Sequence, residues 1–297
     1  MKRLFIALTV CIAAAIGAKA SDGDLFKYPT PPADMENLQE RCDYLVTHFW
    51  ERCDFKSAFS KKEALHNTFG DWVSFMPYAS ADSVHAAIDR LLTKVHKSGP
   101  HTLGLARMAE EWTYSDTSFV HSEEIYYPFA KAAADNGKIK GADKARFAAQ
   151  VQIMDNSRQG AKVEHLQWTD AEGRSHSIDE VGTQLTLVFF NDYDCDNCTL
   201  ARVRLSADIN ARKLLDAGIL TVLNIQPEEA DAEWLAAVTT YPKEWLTGTW
   251  ADADEYFSLR TSPAYYLLDA RHRVLVKDFD TDGLLAVLAT LRANSGL

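Results

Sequence analysis

Two cysteines separated by two residues, Cys195-Asp196-Asn197-Cys198, are the part of this 297-residue sequence best suited to covalent chemistry. They follow the apolar run Leu185-Thr186-Leu187-Val188-Phe189-Phe190, which reads as a buried strand, and they open a long helical stretch. A C-x-x-C pair at such a junction suits reversible thiol–disulfide exchange. The first sulfur falls at the helix N-cap and the second about one turn in, so a bridge can open and close without refolding. Unpaired amides at the helix start favour the thiolate of Cys195, the form that attacks a partner disulfide. The blander reading of the pair is a static structural bridge. Zinc is not expected, because no second C-x-x-C or C-x-x-H supplies the remaining ligands of a closed site.

Other candidates reduce to structure. Cys42 and Cys53 are eleven residues apart, about 16 Å on one continuous helix, which is too far for a disulfide. Cys42 sits on an apolar stripe and reads as a small buried side chain; a helix break between Trp50 and Phe55 would bring the two together. The nine histidines show no metal-ligand spacing, and His176 and His272 fall in turn or hairpin positions expected to be solvated. Trp234, Tyr241, Trp245 and Trp250 read as core cover, with a partner-binding groove as the second reading. No phosphate loop, nucleophile elbow or paired-carboxylate spacing is present, and neither a nucleotide nor a flavin site. No cofactor is therefore expected, and electrons would have to come from another thiol protein.

The N-terminus carries an address. Lys2 and Arg3 precede the apolar stretch 4–18, and Ala18-Lys19-Ala20 offers small residues for cleavage after Ala20, as in a secretory signal peptide. The stretch is short for a membrane span, which needs about 20 residues. Export, with the periplasm as destination, is the expectation; lipidation at Cys11 is the minor alternative, since Val10 is bulky where a small residue belongs. No other segment is apolar enough to span a bilayer. The net charge is −11, and residues 161–297 hold 22 acidic against 12 basic groups, which argues against nucleic acid and anionic lipid as partners.

Periodicity divides the remainder. Residues 21–34, with Pro29, Pro31 and Pro32, read as an extended leader. Residues 35–158 read as an all-α domain. Leu38, Cys42, Leu45 and Phe49 form one stripe, Leu65, Phe69, Trp72, Val73 and Met76 another, and a third helix begins at the cap Ser80 and stops at Gly99-Pro100. Two more helices are predicted over 122–136, with Pro128 as a break, and 142–158. The period changes near Gln159-Gly160, and residues 161–297 read as an α/β domain with a central mixed sheet. The strand 185–190, one helix of about five turns ending near Gly218 and the strand 219–225 make a βαβ unit; strands 264–268 and 274–277 and a helix over 282–292 follow.

On these residues the second domain resembles the thioredoxin-like domains of exported thiol-disulfide oxidoreductases. The likeness rests on the strand followed by Cys195-Asp196-Asn197-Cys198 and on Arg260-Thr261-Ser262-Pro263-Ala264-Tyr265-Tyr266-Leu267-Leu268-Asp269, where the family places its cis-proline before a hairpin. The resemblance implies a cis Pro263 facing the cysteine pair and a Ser262 backbone that pairs with a protein or peptide disulfide substrate. It implies a protein-disulfide reductase in which Cys195 attacks and Cys198 resolves. The competing reading is a redox-silent thioredoxin-like binding module with a structural disulfide. The helical part is similar to a domain of unknown function that precedes such domains in secreted proteins of Gram-negative bacteria, and it brings no activity.

Three departures from the family pattern bear on chemistry. Asp194 stands where thioredoxins usually have Trp, Asp196 lies between the cysteines, and Phe189 occupies the place of the buried acid six positions before the first cysteine. Carboxylates close to a thiolate disfavour it, so Asp194 and Asp196 are expected to tune the pair by partly cancelling the helix-terminus effect. A rise of about one pKa unit at Cys195, roughly 1.4 kcal/mol, lowers the potential by about 30 mV, which suits a reductant or a slow isomerase.

Overall fold

A computed structural model describes residues 25–115 and 117–297. The expected signal peptide with Cys11, and residues 21–24 of the expected leader, lie outside the described residues. The chain forms two compact units. One holds the residues up to Val120 together with Pro128–Gly141, and the other holds His121–Tyr127 together with Ala142–Leu297. The period change near Gly160 thus marks where helices give way to strands, while the second unit also takes in earlier helical residues. No helix among the described residues is long and apolar enough to cross a membrane.

Helices build the first unit. The first stripe becomes α1 (Leu38–His48), capped by the Asn37 side chain on the Glu40 amide, and continues as a 3₁₀ turn over Phe49–Arg52. After the short α2 (Phe55–Ala58), α3 (Lys62–Phe75) carries the second stripe. Phe49, Trp50, Phe69 and Trp72 are buried and meet at edge and tilted angles, and the Trp72 indole donates to the Val46 carbonyl at 3.1 Å. Ser80 caps α4 (Ala81–Val95), as its spacing implied, and both its amide and its hydroxyl donate to Asp43. Gly99-Pro100 does more than stop α4: it begins a further helix, α5 (Gly99–Thr113), capped by Ser98. Proline fits the first helical turn because its missing N–H would be unpaired there anyway. The helix α6 (Glu123–Asp135) runs through Pro128 rather than breaking at it. Cys42 is buried and Cys53 half-buried, both are free thiols, and burial pushes the Cys53 thiol up to about 11.

In the second unit α7 (Gly141–Ser157) precedes a seven-stranded mixed sheet of order β2-β1-β5-β4-β3-β6-β7. Its strands are β1 (Gln167–Thr169), β2 (Ser175–Ser177), β3 (Leu185–Phe190), β4 (Leu220–Gln226), β5 (Leu246–Thr249), β6 (Ala264–Asp269) and β7 (Val274–Val276). The central β3 pairs in parallel with β4 and antiparallel with β6. Its alternation divides two cores. Val188 and Phe190 pack with Trp168, Leu223, Trp250, Phe257 and Tyr266 on one face, whereas Leu187 and Phe189 pack with Leu205, Leu214, Tyr265, Leu284 and Leu288 on the other. The four aromatics read as core cover are buried, with Trp245 and Trp250 in different cores.

Between β3 and β4 the single five-turn helix is replaced by two, α8 (Asp196–Ala207) and α9 (Ile209–Asp216). Asp208 is extended, and its carboxylate accepts the amides of Asn210 and Ala211 at 2.9 and 2.8 Å, so it starts a new helix instead of continuing the old one. Further on come α10 (Ala232–Val238) and the closing α11 (Thr281–Asn294). His272 is less solvated than expected: it takes a positive φ of 57° in the β6–β7 turn, and its Nε2 lies 3.0 Å from the Val181 carbonyl. His176 is held between Asp170 and Glu180.

Candidate functional site

The strand β3 delivers the chain to the carboxyl end of the sheet, where Asn191–Asp194 turn it into α8. The turn is pinned from within. Buried Asn191 donates to Asn224 of β4 and accepts from Arg202 at 3.1 Å; Arg202 also donates to Thr199 at 3.0 Å and lies over the Tyr241 ring. The Tyr193 amide donates to Gln226 and its hydroxyl to Asp231. This frame of Asn191, Asn224 and Arg202 was not foreseen from sequence; the one available signal was the placement of Arg202 one helical turn beyond Thr199.

Cys195 is the N-cap of α8 and Cys198 its third residue. The Cys198 amide donates to the Cys195 sulfur at 3.1 Å, the role an oxygen plays in an ordinary cap. The two thiols sit in contrasting surroundings. Cys195 is partly exposed, whereas Cys198 is fully buried. Burial pushes the Cys195 thiol up, but hydrogen bonds from the Cys198 side chain and amide, from Ser262 and from the Asn197 amide outweigh it and hold the thiol below its ordinary value. For Cys198, burial and the hydrogen bond with Cys195 push the thiol up to about 11. Asp194 and Asp196 are both exposed beside this pair. The net direction at Cys195 is thus the one the helix terminus favours, and the flanking carboxylates do not reverse it.

Across from the cysteines the peptide Ser262-Pro263 is cis. The Ser262 hydroxyl lies 3.1 Å from Cys198 Sγ and 3.6 Å from Cys195 Sγ, and its carbonyl is 3.9 Å from Cys195 Sγ. The fold therefore brings Cys195, Cys198, Ser262 and Pro263 together. Sequence reading singled out Ser262 for its backbone; the contact of its side chain with both sulfurs is new. A cleft of about 410 Å³ opens beside this loop, lined among others by Asn197, Leu200, Arg204, Pro263, Tyr265 and Asp280. Phe189 is wholly buried, stacked on Tyr265 with ring centroids 5.2 Å apart, so an apolar ring occupies that place in the core.

A crystal structure of a thioredoxin-like protein from Bacteroides caccae superposes with a TM-score of 0.79, at 23% identity, over 92% of this chain and 99% of that one. The chain has a thioredoxin-like fold. Its helical region falls within residues 10–157, which match the family model described as a domain of unknown function, DUF5106. Two further solved structures resemble this thioredoxin-like protein over about half its length. A conserved protein of unknown function from Bacteroides fragilis is 29% identical over 44% of this chain and 99% of its own, with a TM-score of 0.42. The thioredoxin domain of a thiol-disulfide oxidoreductase from Bacteroides vulgatus is 20% identical over 45% and 96%, with a TM-score of 0.38. No curated protein matches the chain.

Proposed function

We propose that this thioredoxin-like protein is a thiol-disulfide oxidoreductase that reduces disulfides in proteins or peptides. The observation that carries the reading is the division of labour between the two sulfurs. A partly exposed thiol held below its ordinary value is a nucleophile in reach of a partner, and a buried thiol held up to about 11 stays protonated until the partner is attached. Cys195 attacks a substrate disulfide, a mixed disulfide forms, and Cys198 resolves it. The Ser262-Pro263 segment would hold the substrate backbone as an added strand. Leu200 and Val203, 58% and 57% exposed on α8, offer apolar contact along the helix that the cysteines head. Electrons would come from a thiol protein, with the periplasm as the place of work. Asp194 and Asp196, both exposed beside the pair, would oppose the thiolate and so pull toward the reductant direction, without reversing the lowered Cys195 thiol.

The test is a Cys198→Ser variant, which should accumulate disulfide-linked partners through Cys195, while the unsubstituted protein reduces insulin with a dithiol as donor. An empty trap together with no reductase activity would support the second reading, a redox-silent binding module. What favours that alternative is Phe189, a wholly buried ring at the position where the family resemblance places a buried acid.

A further inference from the structure

The resolving step needs Cys198 to lose a proton, and its surroundings limit where that proton can go. Cys198 is completely buried. Phe189 on β3 presents a ring to this core. Tyr265 on β6 shares a hydrogen bond with Thr281, and burial pushes its phenol up to about 12. Burial also pushes up Tyr241, which stacks under the cationic Arg202 of α8. Asp192, ahead of α8, meets Cys198 through its backbone, which hydrogen-bonds the sulfur, while one oxygen of its carboxylate accepts the Asp194 amide at 3.0 Å. Cys195 itself cannot keep the proton, because in the mixed disulfide its sulfur has no thiolate to offer. Among the described residues, the side chain that both touches Cys198 Sγ and is exposed to solvent is Ser262: its Oγ is 3.1 Å from that sulfur.

We propose that the Ser262 hydroxyl is the proton exit for Cys198, and so a catalytic group in the step that closes the Cys195–Cys198 bond. The inference rests on the exchange reaction proposed above. In this step Cys198 S–H gives its proton to Ser262 Oγ while Oγ passes its own hydroxyl proton to water. The freed electron pair on Cys198 forms the bond to Cys195 Sγ, and the bond between Cys195 and the substrate sulfur breaks. That bond's electron pair leaves on the substrate sulfur, which takes a proton from water. The cysteine pair is oxidised by two electrons, the substrate is reduced by the same two, and the proton count is unchanged. Run backwards, the same hydroxyl delivers a proton to Cys198 when a donor thiol opens the bridge. A hydroxyl between a buried sulfur and solvent suits this task because it can accept one hydrogen while donating another.

A reporter disulfide, dithiobis(nitrobenzoate), separates the two steps. Reduced protein releases one coloured thiolate when Cys195 attacks and a second when Cys198 closes the bridge; Cys198→Ser retains the first release alone and so identifies it. Ser262→Ala is expected to slow the second release relative to the first by on the order of tenfold to a hundredfold, the lower range for proton-transfer catalysis where water can substitute. Ser262→Thr, which keeps a hydroxyl, should restore most of the loss. An undiminished second release in Ser262→Ala overturns the inference and leaves the exchange reaction standing. No first release from the unsubstituted protein overturns the exchange reading itself. If Ser262→Ala does not fold, the unsubstituted protein in deuterium oxide decides: greater slowing of the second release than of the first supports the proton exit, and equal slowing refutes it.

Discussion

The Cys198 amide points at the Cys195 sulfur from 3.1 Å, so one cysteine of the pair closes the helix turn that carries the other. A thiolate at Cys195 strengthens that hydrogen bond, and the bond in turn favours the thiolate. The attack rate of reduced protein on an alkylating reagent should therefore rise with pH with its midpoint below 9.0, the ordinary thiol value, and with Cys195 as the modified residue. By linkage, a lowered thiol stabilises the reduced fold above the unfolded thiol's pKa, and that contribution is lost as pH falls through the folded value. Mass spectrometry of the alkylated protein across a pH series checks the first, and urea unfolding of the reduced protein across the same series checks the second; a midpoint at or above 9.0 would contradict the structure.

Leu200 and Val203 face solvent on the helix headed by the cysteines. If they seat protein substrates, Leu200→Glu with Val203→Glu should lower kcat/KM for insulin by about tenfold, the effect of losing about 1.4 kcal/mol of contact. Turnover of a small reporter disulfide should change far less. Equal losses on both substrates would show that the pair supports the fold, not docking.

The carboxylate of Glu123 and the ammonium of Lys277 meet at 2.5 Å with both side chains buried; the Glu123 amide donates to Asp278, and Lys277 lies over the Tyr266 ring. Burial alone would push Lys277 down, but Tyr266, Glu123 and Asp278 hold it above the usual lysine range. Removing one partner leaves a buried charge without its counterion. Lys277→Met is expected to cost about 3 to 5 kcal/mol in urea unfolding, and adding Glu123→Gln to recover much of that loss. A double variant as unstable as Lys277→Met would refute the pairing.

Asp208 decides that α8 and α9 are two helices. Asp208→Ala removes the acceptor for two amides and should cost about 1 kcal/mol, while Asp208→Asn should cost less. Equal losses in the two variants would place the effect elsewhere than the cap.

What could be read from sequence was strongest where period and chemistry agreed. The run Leu185–Phe190 is buried on both faces and became β3 without a shift, and Ser80 and Cys195 both cap the helices their positions implied. Misreadings arose where one residue type serves two purposes. Gly99-Pro100 ends one helix and starts the next, and Asp208 looks like a solvated helix position until its carboxylate is seen on two amides. The cysteine pair was legible as a motif and the helix start gave the direction of the Cys195 thiol, but the hydrogen bond from Ser262, 67 residues away, was not, because nothing local to the pair announces it. The buried partnership of Glu123 and Lys277 joins residues 154 positions apart and leaves no trace in either local pattern.

That separation has a consequence for synthesis. Glu123 lies in a stretch whose neighbours on both sides in sequence join the first unit, yet its counterion emerges from the ribosome 154 residues after it. The helical unit can be complete once Gly141 has appeared, while the unit with the cysteine pair must wait for Lys277 and the strands around it. A nascent chain halted before Lys277 would leave that carboxylate wet and the second unit unassembled, so of the two units the one bearing Cys195 and Cys198 acquires its final form later.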